Sequence, residues 1–280
     1  MYISYSGYKL YTACQLAYWH KYIAQTKLPA PDNQVNTLFG NIIGSLFEAY
    51  YNENLGANPA LAEGILQARV GKYAQEMVHR VRRYATVKWK AQDPKAMYAS
   101  SDELLRDLHE TVAKGLKTIV LHNLWSHGAK AEVVLDHTIQ GNVLAGRADF
   151  IGRNANGVYI LDGKGSKYRE LFVDKRQLLW YAMLYEAKNK ELPSTLGFVH
   201  WRSDPEKAVD WVPYKAEDLV ELKAKVHEDI AKIEEAKKKD TPFEPTVDLN
   251  KTKKQCYYCV FAPLCPRALA VGTVEDVTLD

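Results

Sequence analysis

Residues 143–165 read VLAGRADFIGRNANGVYILDGKG, and this stretch decides the fold. Apolar and polar residues alternate on either side of Asn154-Ala155-Asn156-Gly157. That is the pattern of two strands joined by a tight turn, because Asn and Gly tolerate the positive φ that hairpin turns need. A loop over 154–157 sets Asp149 opposite Asp162, whereas a two-residue turn at Asn156-Gly157 sets Asp149 opposite Lys164. Either register puts Asp149, Asp162 and Lys164 on one face, while a three-residue loop turns Asp149 away. Two carboxylates and an ammonium at the end of a hairpin suit a hard divalent cation beside a phosphate. The cation acidifies a bound water, and the lysine steadies the nucleophile or the developing charge. The competing reading makes Asp162-Gly163 a plain turn dipeptide. Against it, GSKYRELFVDKRQ (165–177) is polar and runs into a helix, not into another alternating strand.

To either side, EVVLDHTIQ (132–140) reads as a further strand, and strands are expected near 195–203 and 207–213. Helices are expected near 173–189 and, lysine-rich, near 215–239. Upstream, apolar residues recur at helical spacing near 8–23, 36–54, 60–90 and 102–126, a helical lobe. With no internal repeat or long linker, the expectation is one domain over 1–280. It comprises a mainly helical lobe at 1–127, an α/β catalytic core at 128–240 and a cysteine segment at 241–280 completed by Cys14.

The 280 residues are 47% hydrophobic, enough for a substantial core, and 37 basic against 34 acidic residues leave a net charge of only +3. Nucleic-acid contact must therefore come from local patches, not overall charge. No run reaches the length of a membrane span, and MYISYSGYKLYTACQ lacks the basic start and apolar stretch of a secretory signal. A cytoplasmic protein with no membrane partner is expected. The absence of a GxxxxGK[ST] loop means that the chain does not power its own unwinding of DNA.

Three of the four cysteines, Cys256, Cys259 and Cys265, fall in CYYCVFAPLCP, and Cys14 stands near the other end. Reduced thiols so spaced can present three thiolates from one loop, with Cys14 the one cysteine left to complete a set. Such a cluster holds either iron–sulfur or zinc, and the alternative is unliganded cysteines, with Cys14 a small buried hydrophobe.

Asp149, twelve residues, then Asp162-Gly163-Lys164 resembles the core of the PD-(D/E)XK nuclease superfamily. Gln177 and Tyr181 in QLLWY are similar to the Gln-x-x-x-Tyr motif of its RecB-like branch, and GNIIGSLFE resembles the helical motif ending in a glutamate, here Glu48. The cysteine arrangement is similar to that of the iron–sulfur nucleases of that branch, including AddB-type nuclease domains and CRISPR-associated RecB-like exonucleases. The resemblance implies a restriction-endonuclease-like α/β core with a central mixed sheet flanked by helices, an N-terminal helical lobe and a C-terminal cysteine loop. It implies that Asp149, Asp162, the Gly163 carbonyl and Glu48 ligate Mg2+ or Mn2+, and that Lys164 positions the attacking water. It also implies that Gln177 and Tyr181, at i and i+4 on one helix face, contact the substrate phosphate or the lysine. The resemblance further implies that Cys14, Cys256, Cys259 and Cys265 hold a structural 4Fe-4S cluster. The family has a histidine four residues before the glutamate; this chain has Gly44.

HRVRRYATVKWK (79–90) interleaves Arg80, Arg82, Arg83, Lys88 and Lys90 with Tyr84 and Trp89, as single-stranded nucleic-acid binding requires, although a solvated helix face has the same spacing. Lys251, Lys253 and Lys254 offer a second grip on a backbone, whereas KAKVHEDIAKIEEAKKKD (223–240) reads as a surface helix. The function expected is a metal-dependent DNA exonuclease acting on single strands or ends, with a helicase, recombination or CRISPR adaptation partner. Its rivals are a nucleic-acid-binding module of the same fold that has lost efficient cleavage, and a zinc-stabilised interaction protein.

Overall fold

The computed structural model describes residues 1–27, 35–82, 88–93, 96–171, 173–240, 242–243, 256 and 259–265. It divides into two compact units, one of Met1–Pro29, Thr138–Leu144 and Lys223–Asp280, the other of Ala30–His137 and Ala145–Leu222.

The larger unit contains the hairpin. Strand β3 (Asn142–Asn154) pairs antiparallel with β4 (Gly157–Lys164) from Phe150 opposite Leu161 to Asn154 opposite Gly157. The turn is thus two residues, Ala155 and Asn156, closed by an Asn154 side chain that accepts the Asn156 N–H at 2.9 Å. Gly157 takes φ +109°, where a side chain is strained. One further step of this register brings Asp149 opposite Asp162. β4 then pairs in parallel with β5 (Thr195–His200), which pairs antiparallel with β6 (Val209–Val212). A parallel neighbour needs a crossover, and helix α6 (Lys175–Asn189) supplies it, packed on β4 and β5. β2 (Lys130–Ile139) joins the sheet beside β3, making it mixed.

Period two divides β4 between two environments. Tyr159 and Leu161 enter one core with Val199 and the helices α3 (Val35–Asn52), α4 (Pro59–Arg82) and α5 (Ser101–Leu121). Ile160, Asp162 and Lys164 alternate with them and face the other way. In α3, Leu38, Phe39, Ile42, Ile43, Leu46, Phe47 and Tyr50 form the buried face, at the i, i+3/i+4 spacing of an amphipathic helix. Phe47 stacks on Trp201 at 4.0 Å between centroids, and Tyr51 meets Phe150 at 4.8 Å. Tyr51 and Tyr159 both donate their hydroxyls to the Leu124 carbonyl, fastening the end of α5 to α3 and β4.

In the smaller unit, α1 (Tyr5–Ala13) is capped by Ser4, whose hydroxyl accepts the Gly7 N–H. The helix stops at Cys14, whose backbone is extended (φ −155°), so the expected helix over 8–23 is broken into α1, α2 (Gln15–Tyr18) and a π-helical turn at Trp19–Ile23. A short strand β1 (Tyr2–Ser4), not foreseen, lies by the start of β3, where the Val143 N–H donates to the Met1 carbonyl. α7 (Ala216–Lys239) is not wholly a surface helix: Val226, Ile230 and Ile233 are buried, and buried Asp229 accepts from Tyr8 at 2.9 Å and pairs with Lys225 at 2.8 Å. Among the described residues no helix is long and apolar enough to cross a membrane.

Within the helical part of the larger unit, Arg202 lies 3.4 Å from the centroid of Phe39 and pairs with Asp107 at 2.5 Å, where Tyr98 also donates at 2.8 Å. Removing one partner of so enclosed a pair leaves an uncompensated charge. Asp107→Ala is expected to lower unfolding free energy by about 3 kcal/mol, read as a reduced urea midpoint with an unchanged m-value.

Candidate active site

The hairpin end delivers three charged groups to one place. The Lys164 ammonium lies 2.5 Å from Asp162 Oδ2, and the Asp149 Oδ2 accepts the Gly163 N–H at 2.7 Å. Gly163 is needed at this point, because a Cβ there meets the Trp201 indole nitrogen at 2.7 Å. On α6, whose first turn is capped by Asp174, the Gln177 Oε1 stands 3.5 Å from the Lys164 ammonium, and Gln177 Nε2 donates to the Tyr181 hydroxyl at 3.0 Å. The i, i+4 pair therefore forms a relay ending on the lysine. Tyr181 is nevertheless buried, its ring against Gly146. The Phe198 ring, 5.4 Å from the ammonium, closes another side.

Burial is the first cause that pushes the Asp149 carboxyl up, to about 8; the negative charge of Asp162 is the second, and the Gly163 N–H and Lys164 pull the other way. Glu48 reaches the same neighbourhood from α3. It lines a cleft of about 180 Å3 with Gly40, Gly44, Glu132, Asp149 and Gly163. Among the described residues nothing comes within 4 Å of a Cβ built on Gly44, so close packing does not explain that glycine.

Two residues were not singled out in the sequence. Glu132 lines the cleft with φ +54°, uncommon for a residue with a side chain; it pairs with Arg147 at 2.5 Å, and burial raises its carboxyl. Its strand position gives no hint of that backbone. His200 lies beside Lys164 in the parallel register, buried, with Nε2 2.9 Å from Asp210, and burial lowers its pKa. A histidine inside the apolar run LGFVHW is the one signal that pointed to it.

The expected metal centres need correction. Among the described residues no group of three or more His, Cys, Asp or Glu side chains is fit to hold a metal ion. At the hairpin Asp162 is ion-paired with Lys164, Asp149 accepts the Gly163 N–H, and Gly44 supplies no side chain. The ligand set Asp149, Asp162, Gly163 and Glu48 for Mg2+ or Mn2+ is therefore not formed. Cys14, Cys256, Cys259 and Cys265 are free cysteines. Burial, then the neighbouring thiols, raises the pKa of Cys256, and burial raises that of Cys259. Of the expected nucleic-acid contacts, Arg83, Tyr84, Lys251, Lys253, Lys254 and the side chain of Arg82 lie outside the described residues, and Trp89 packs against the core.

A mixed α/β sheet flanked by helices, with an Asp and an Asp-Gly-Lys converging at a hairpin end, defines a nuclease-type fold. The model of the PD-(D/E)XK nuclease superfamily matches residues 2–266, and the chain belongs to that superfamily. No curated protein matches it. Among solved structures, a protein from Eubacterium rectale described as a candidate exonuclease is 12% identical, with a TM-score of 0.51, over 99% of this chain and 91% of that one, which shows the shared fold. SSO0001 is 20% identical over 58% of this chain and 74% of that one, but its TM-score of 0.30 supports nothing further. The narrower likeness to iron–sulfur, AddB-type and CRISPR-associated nucleases is withdrawn, since the match is to the superfamily and the described residues hold no metal-binding group.

The raised Asp149 carboxyl makes stability depend on pH. The folded protein keeps a proton that the unfolded chain releases above its ordinary value of 3.8, so this contribution is full below that pH and is lost as pH rises toward about 8. Asp149→Asn removes the titration. Its stability relative to wild type, from urea unfolding, is expected to rise by on the order of 1–3 kcal/mol between pH 5 and pH 8.

Proposed function

We propose that the chain hydrolyses phosphodiester bonds of DNA, as an exonuclease acting on single strands or ends. The observation that carries this reading is the convergence of Asp149, Asp162 and Lys164, with Gln177 aimed at the lysine. Attack of water on a phosphodiester builds negative charge on the phosphoryl oxygens and on the leaving oxygen. Lys164, fixed by Asp162 and Gln177, offers a preorganised positive charge to that developing charge. The carboxyl pair divides the proton work: Asp149, whose proton is held toward neutrality, hands it to the leaving oxygen, and Asp162 accepts one from the attacking water. Tyr181 keeps Gln177, and through it the lysine, in place. Glu48 and Glu132 line the adjoining cleft. The Eubacterium rectale protein with the same fold, described as a candidate exonuclease, supports an end-directed mode.

Gly44 favours a second reading, a nucleic-acid-binding module with little cleavage, since the family's histidine position is empty of any side chain. Cleavage of end-labelled linear and circular DNA, single- and double-stranded, with and without divalent salts, separates the two. The wild type is expected to degrade linear DNA and spare circles, and Asp162→Ala and Lys164→Ala each to lose at least about 10²-fold in rate. DNA bound but not cut under every condition assigns the second reading; variants that cut like wild type remove these residues from the chemistry.

A further inference from the structure

Immediately after β4 the chain runs Gly165-Ser166-Lys167-Tyr168-Arg169, and this segment presents features that the hydrolytic site does not use. Tyr168 is 66% exposed, yet both sides of it are fixed: its N–H donates to Ser166 Oγ at 3.0 Å, and Arg169 is anchored on Asp210 at 2.5 Å. Lys167 is exposed, with its ammonium 5.8 Å from the centroid of Tyr98. The residue hydrogen-bonded to the Tyr98 carbonyl is Lys90, also exposed, and Arg106 extends from the neighbouring α5. All three cations act on one carboxylate, Glu103, whose pKa is lowered first by the Ala99 N–H and then by Lys90, Lys167 and Arg106. The nearby acids are Asp102, exposed on the first turn of α5, and Asp107, engaged by Arg202. Three cations against Glu103 leave phosphate-binding capacity there, and four residues from Lys164 to Tyr168 span at most about 14 Å.

We propose that Lys90, Arg106 and Lys167, with Tyr168 as a stacking platform, form a track that guides single-stranded nucleic acid to Lys164. This rests on the nuclease reading and deepens it by naming the strand state of the substrate. An exposed ring stacks only on a base face freed from pairing, and cations beside it follow the backbone without reading sequence. Trp89, the other aromatic of the basic region, is packed against the core, which leaves Tyr168 for the stacking role.

The test is fluorescence anisotropy of fluorescein-labelled oligothymidylate without divalent salts, over a range of sodium chloride, alongside cleavage of the same oligonucleotide. Lys90→Ala and Lys167→Ala are each expected to weaken binding severalfold and to flatten the slope of log affinity against log salt by about 0.7. Tyr168→Ala is expected to weaken it roughly tenfold or more, and Tyr168→Phe to restore it, because the ring and not the hydroxyl stacks. Binding unchanged in both lysine variants and in Tyr168→Ala overturns the track, as does a blunt duplex that competes as well as the single strand. Oligothymidylate held in this way but left uncut both with and without divalent salts sinks the hydrolytic reading and keeps the track; cleavage that survives all three surface variants with full affinity does the reverse.

Discussion

Two carboxylates on neighbouring strands repel one another, and everything at the end of the hairpin answers that repulsion. Asp162 is compensated by the ammonium two residues further along its own strand, at 2.5 Å, and Asp149 by a backbone N–H across the ladder, at 2.7 Å. Neither compensation is available unless the two strands are in the observed register, and neither is complete, so Asp149 retains its proton far above the ordinary carboxylate range. The surroundings follow from this unfinished balance. Gly163 brings Trp201 close, α6 supplies Gln177 to hold the lysine, and the aromatic packing of Phe47, Tyr51 and Phe150 stiffens the other face of the same strands. A polar site held by a rigid apolar layer keeps its geometry when charge changes.

Much of this was legible in the residues. Asn154 to Gly157 announces a turn by its chemistry, and alternation in VYILDGK assigns Asp162 and Lys164 to one face. What the letters left open was the turn length: the paired residues are Asn154 and Gly157, so the loop is two residues, and the register sets Asp149 against Asp162, not Lys164. The crossover helix was legible from the helical spacing around QLLWY, but the parallel pairing of β4 with β5 that it spans was not. The start of the chain was less so. Helical periodicity continues through Cys14 in the sequence, but the backbone turns extended there, a change of φ that no spacing of apolar residues reveals.

The cysteines and the metal show where residue type outruns geometry. Three cysteines in ten residues are compatible with a thiolate centre, but spacing specifies neither the protonation of the thiols nor the direction of the side chains. Among the described residues no metal-binding group of His, Cys, Asp or Glu forms. In the same way, Asp, Asp and Glu are the residue types of a hard-cation site, yet among the described residues they do not gather into a group that could hold a metal ion. Glu132 is the converse case: an unremarked strand residue placed in the cleft by an unusual backbone angle.

The two-residue turn also has a bearing on the order in which the molecule assembles. Closing so short a loop forfeits little chain entropy, whereas the parallel pairing of β4 with β5 must wait for the whole α6 crossover to be brought round. The opposed aspartates and Lys164 are all carried by the local hairpin, and Gln177 and His200 arrive with the distant pairing. The charge conflict is thus set up early in folding, in a wet and weakly repulsive form, and is dried and fixed only when the crossover docks.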